Sequence, residues 1–199
     1  VLDHYYQTSV SHPGFIAQLI KVFKEMNEPQ KLAAAYAHLM AVHEEKEQYE
    51  LSIQTLKKAE QEGIPLSCTV AEIAERGINM CMDKVSGYNS ERPDITDSSV
   101  HAPEGTLGYV QKAYMLAKQH GTPEMLRDVA VHGLYLLQKQ IQELDSFLEC
   151  DHTEICMEER VSEASPCICG YDQRCWHYGP IISESVQLAS TLAEESECL

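Results

Sequence analysis

Aromatic side chains are scarce in this chain: one tryptophan, three phenylalanines and ten tyrosines make up 7% of it. Long β-branched runs are also missing, so an all-α fold is expected. No apolar run approaches the roughly 20 residues needed to span a bilayer. Basic residues number 15 against 31 acidic ones, for a formal charge of −16. No basic stripe exists to neutralise phosphates, which excludes nucleic-acid binding as a class. An acidic surface can attract cations, although its commoner effect is solubility. There is no Asn-x-Ser/Thr sequon, Gly-rich phosphate loop, nucleophile elbow or HExxH motif, so nothing supports an ordinary enzyme and none is expected.

Cysteine is plentiful, with eight residues, most of them from Cys150 onward. An even count of this density points to disulfides, an oxidising compartment and a secreted protein. The opening VLDHYYQTSV has neither a basic nor an apolar leader segment, so a signal peptide is expected to have been removed already. Cys167, Cys169, Cys175 and His177 supply four potential zinc ligands, but their spacing departs from that of zinc knuckles. Disulfides stapling an acidic tail account for them better. Cys68 and Cys81 can pair with each other, pair with the tail, or remain core thiols.

The longest run without an internal Gly or Pro is PQKLAAAYAHLMAVHEEKEQYELSIQTLKKAEQEG, residues 29–63. Leu32, Ala35, Leu39, Val42, Tyr49, Ile53 and Leu56 recur at spacings of three, four and seven, which predicts one long amphipathic helix. Pro29 suits its first turn, and Gly63 followed by Pro65 stops it. Ahead of it, Phe15, Leu19, Val22, Phe23 and Met26 form one face of a first helix that begins or kinks at Pro13. Thr69 and Glu72 make a capping box for a helix carrying Val70, Ile73, Ala74, Ile78, Cys81, Met82 and Val85. Residues 86–105 then read as a loop of unusual length. Order resumes at Thr106 and runs to Gly121, and Thr122-Pro123 opens a further long helix. After an irregular Cys-rich segment, PIISESVQLASTLAEESECL closes the chain as an amphipathic stretch.

HEEKEQYE at 43–50 resembles the HEEREHAE-type segment of the second helix of ferritins. Leu116-Ala117 followed by Pro123 and Leu126 is similar to the junction between the third and fourth ferritin helices, and QIQEL at 140–144 to the end of the fourth. The resemblance implies a ferritin-like four-helix bundle over residues 1–150, with a long inserted loop in the third helix. A disulfide-rich extension over 151–199, with a possible short terminal helix, would follow. It also implies a homo- or hetero-oligomeric shell of ferritin-like subunits that stores or carries iron, or serves as structural packaging. Glu45 takes the position of the family's helix-two metal ligand, and Glu44 matches its neighbour. The remaining ligand positions fall on Gln48, on Ser9 or Val10, on Pro103 beside Glu104, and on Leu137. The implied shell subunit therefore lacks ferroxidase activity of its own, with iron as its possible ligand.

Plainer readings stand beside this one. Glu44, Glu45 and Glu47 also fit a solvated helix face supported by nearby lysines. Tyr36, Leu39, Ser52, Leu56 and Ala59 fall near tetratricopeptide spacing, but no turn residue splits residues 33–62 and no second copy recurs at that period. The alternative to the shell is a disulfide-stapled helical extracellular binding protein.

Overall fold

The computed structural model describes residues 12–88, 105–148 and 171–198. The described residues are helical, with no strand among them: α1 (Pro13–Glu25), α2 (Pro29–Glu45), α3 (Tyr49–Gln61), α4 (Val70–Tyr88), α5 (Thr106–His120), α6 (Pro123–Leu148) and α7 (Tyr171–Cys198). The all-α class read from composition is the class observed. The chain divides into two compact units, one of Val1–Met80 with Leu116–Thr122, the other of Cys81–Met115 with Pro123–Leu199.

In the first unit, the single helix expected over residues 29–63 is two helices. The ladder stops after Glu45 and restarts at Tyr49. The stop has the geometry of a Schellman motif: Gln48 N–H donates to His43 C=O at 2.8 Å and Glu47 N–H to Glu44 C=O at 2.9 Å. Glu47 occupies the left-handed position, at φ 58°. The same motif ends α1, where Asn27 stands at φ 54° and Glu28 N–H reaches Phe23 C=O. It also ends α3, where Gly63 stands at φ 74° and Ile64 N–H reaches Ala59 C=O. Gly adopts that conformation freely and Asn tolerates it, so two of the three stops are visible in composition. Glutamate gives no such signal, and the apolar stripe continues across the break.

The strained Glu47 yields a test whose sign separates the two architectures. At a left-handed stop, Glu47→Gly relieves a cost of about 1 kcal/mol and is expected to raise the urea midpoint. In an unbroken helix the same change would lower stability by about 1 kcal/mol.

Start signals were more legible. Pro13 and Pro29 occupy first-turn positions. The capping box at α4 forms as read: Thr69 N–H donates to Glu72 Oε2 at 2.7 Å, and Glu72 N–H to Thr69 Oγ1 at 3.2 Å. α4 runs on through Tyr88, so Ser86 to Tyr88 belong to the helix and not to the expected loop; residues 89–104 lie outside the described residues. α7 begins at Tyr171 and carries Pro180 inside it, so it starts nine residues before the stretch read as the terminal helix.

The core of the first unit is a cluster of Ile16 and Ile20 from α1, Leu32, Ala35, Tyr36, Leu39 and Val42 from α2, Ala59 from α3, and Ile64. Burial of these side chains, at about 25 cal/mol per Å2, is what holds three short helices together. In the second unit, α6 packs along α7, with Val129, Ala130, Leu136 and Leu137 buried on one helix and Ala189 and Leu192 on the other. Gly133 marks a close approach: a Cβ there would lie 2.9 Å from Val110 of α5 and 3.2 Å from Leu192 of α7. One turn away, the Tyr114 hydroxyl donates to Glu195 at 2.9 Å.

Candidate functional site

Glu44 and Glu45, the two metal-ligand candidates, end up in different surroundings. Glu45 is the last residue of α2 and is exposed. Glu44 is turned inward, with its side chain only 18% accessible, and both oxygens are engaged. Arg76 of α4 grips it as a fork, Nε–H to Oε2 at 2.8 Å and Nη2–H to Oε1 at 2.9 Å. Ser52 of α3 donates its hydroxyl to Oε1 at 3.0 Å. The hydrogen bonds that Arg76 donates to Glu44, ahead of the opposing effect of burial, raise the Arg76 pKa above its ordinary value. Glu44 thus ties α2, α3 and α4 together as a polar strut.

That donor set does not fit an iron site. A hard cation needs several converging oxygen or imidazole ligands, whereas here a guanidinium already holds the carboxylate in a bidentate pair. Among the described residues, no three His, Cys, Asp or Glu side chains converge. Gln48 is the residue after the left-handed stop, its Oε1 3.4 Å from His43 Nδ1. Leu137 is fully buried in the second unit. Ser9, Val10, Pro103 and Glu104 lie outside the described residues.

A second polar cluster sits where α1 turns into α2 beside the end of α3. Lys24 Nζ pairs with Glu62 Oε1 at 2.9 Å, and the Tyr36 hydroxyl donates to Glu62 Oε2 at 2.9 Å. The Lys24 hydrogen bond, with that of Tyr36 helping against burial, holds the Glu62 carboxyl below its usual range. Burial first, and then the Glu62 carboxylate, push the Tyr36 pKa up to about 12. Around this cluster lies an open cleft of about 410 Å3 with Phe23, Pro29, Leu32 and Ile64 as apolar walls and Asn27, Glu28 and Gln61 on its polar rim. Neither Glu62 nor Tyr36 is poised to exchange a proton near neutral pH, which general acid–base work requires.

His120, carried by the segment Leu116–Thr122, places Nε2 3.0 Å from Glu50 Oε2 on α3. Sequence reading found none of these partners, because Arg76, Ser52, Lys24 and His120 meet their carboxylates through helix packing at separations no periodicity encodes.

Of the cysteines, Cys81 is a buried thiol and Cys68 a half-buried one whose pKa burial pushes up. Cys150, Cys156, Cys167 and Cys169 lie outside the described residues, as do the side chains of Cys175, His177 and Cys198. No family model, characterised protein or solved structure matches the chain.

Proposed function

We propose that the first unit is a helical-hairpin repeat scaffold that recognises an extended, basic partner segment, and that it carries no chemistry of its own. One observation supports this above the others. Tyr36, Leu39, Ser52, Leu56 and Ala59, the residues at tetratricopeptide spacing, are all buried, and they divide between two helices joined by a three-residue turn. The missing turn was one of two objections to that spacing, and Lys46-Glu47-Gln48 supplies it. The sequence still holds no second copy at that period, so the unit is one such hairpin with α1 and α4 packed beside it. Repeated helix pairs of this kind present extended surfaces for ligands.

The face of α2 turned away from the core carries Ala34, Ala37 and Ala41, all exposed, and ends at exposed Glu45. Small side chains let a partner backbone approach closely, and a chain of charge −16 favours a basic one. In a ferritin-like subunit HEEKEQYE would lie inside one continuous helix, so the stop at 46–48 favours the hairpin reading over the shell.

The test is retention of the full chain on arrays of extended peptides of graded charge. Lysine- and arginine-rich peptides are expected to be retained at low salt and released as ionic strength rises. Ala37→Trp, which fills the exposed face without entering the core, is expected to weaken retention at least about tenfold with Tm unchanged. Equal retention by the variant, or none by the wild type, defeats the reading. Elution of the native protein at hundreds of kilodaltons, with bound iron, would restore the shell.

A further inference from the structure

α1 has two apolar seams, and among the described residues only one of them packs into the core, the other keeping just Leu19 half-covered. Ile16, Ile20 and Phe23 join the core. Beside them, Phe15, Leu19, Val22 and Met26 form a second seam at spacings of four, three and four, the a/d pattern of a helix that packs against another helix. Phe15 is 38%, Val22 45% and Met26 59% exposed. Contiguous apolar exposure of this kind marks an interaction surface more often than chance.

We propose that this seam joins two copies of the chain, α1 against α1 of the second copy, antiparallel about a two-fold axis. The residues are self-complementary in that arrangement. With the helices reversed, Phe15 of one copy meets Met26 of the other and Leu19 meets Val22, so each large side chain faces a partner of fitting size. A sulfur against an aromatic ring is a favourable contact. On the open flank, Gln18 of one copy lies beside Glu25 of the other, an amide donor beside a carboxylate. The opposite flank of each α1 is packed on its own α2.

Charge also permits the contact. A chain of −16 repels itself generally, yet from Pro13 to Met26 Glu25 is the one acidic residue, against Lys21 and Lys24, the latter paired with Glu62. Self-repulsion is therefore weak along the seam, and isologous pairing is the commonest way identical chains associate. Four side chains a side make a small interface, so the dimer is expected only at about 10 µM and above.

Sedimentation equilibrium of the full chain tests this. The wild type is expected to move from 22.4 kDa to twice that mass as concentration rises to about 100 µM. Val22→Glu is expected to remain monomeric with unchanged helical circular dichroism and Tm. Phe15→Lys and Met26→Glu are each expected to weaken the dimer at least about tenfold. Combined in one chain, they face each other across the seam but stand three turns apart within a helix. The double variant should therefore associate at least about threefold more tightly than either single one. A wild type that is monomeric at 100 µM, a Val22→Glu variant that still dimerises, a double variant weaker than both singles, or a particle of hundreds of kilodaltons would each overturn the proposal.

Discussion

Leu56→Ala is expected to destabilise the first unit by about 3 kcal/mol, the middle of the range for deleting three buried carbons from a packed core. Leu56 has no solvent exposure and lies on α3 among Ile53 and Ala59, which are equally enclosed. The removed contacts leave a cavity that short helices pinned at both ends cannot easily close. Leu51, on the same helix but 40% exposed, provides the control, and Leu51→Ala is expected to cost less than about 1 kcal/mol. Urea denaturation followed by circular dichroism measures both. Equal effects at the two positions would mean that α3 does not face the core as described.

The second large effect lies at alkaline pH. The Tyr36 hydroxyl holds its proton up to about 12 in the folded chain, against 10 when unfolded. A pKa raised by folding gives stability that is fully present below pH 10 and is lost as pH rises from 10 through 12. At 1.36 kcal/mol per pH unit, the loss amounts to about 2 to 3 kcal/mol. Tyr36→Phe removes the titrating group together with its hydrogen bond to Glu62. Near pH 7 the variant is expected to be less stable by about 1 kcal/mol, the lost hydrogen bond. Near pH 12 the order should reverse, with the variant the more stable protein. Parallel stability curves for the two proteins from pH 8 to 12 would mean that Tyr36 is neither buried nor bonded to Glu62.

Helix starts and helix stops were not equally legible, and the reason is chemical. Starts are written in residues with a local job: Pro13 and Pro29 in first turns, and Thr69 with Glu72 in a reciprocal pair of hydrogen bonds. The stops of α1, α2 and α3 each place one residue in a left-handed conformation, and an L-residue can be held there for about 1 kcal/mol if packing repays it. Asn27 and Gly63 announce their stops, whereas Glu47 does not. The stripe from Leu32 to Leu56 misled for a related reason. Two antiparallel helices that share one core each contribute an apolar face, and a three-residue turn keeps the two faces nearly in phase.

The same distinction governs the polar residues. The motif HEEKEQYE drew attention to Glu44, and Glu44 is indeed a special carboxylate, half-buried and triply hydrogen-bonded. Its partner, however, is Arg76, 32 positions away, and a guanidinium changes a ligand candidate into a strut. Lys24, Tyr36 and Glu62 meet in the same manner.

The amino-acid sequence alone determined the all-helical class, the net charge of −16, the helix starts at Pro13, Pro29 and the Thr69–Glu72 box, and the core-facing stripes of α2 and α4. Each follows from propensity, periodicity or net charge, which act within a few residues or over the whole chain. The starts of α3 and α7 were not legible in it, nor was the core face of α1, which is Ile16 and Ile20 and not the row of Phe15, Val22 and Met26. Tertiary structure decided where residues 29–63 break, which carboxylates are neutralised and by which cation, and which of the two seams of α1 remains open. Those outcomes depend on which helix lies against which. Packing free energy shared among distant residues sets that arrangement, and it exceeds the local cost of a left-handed glutamate.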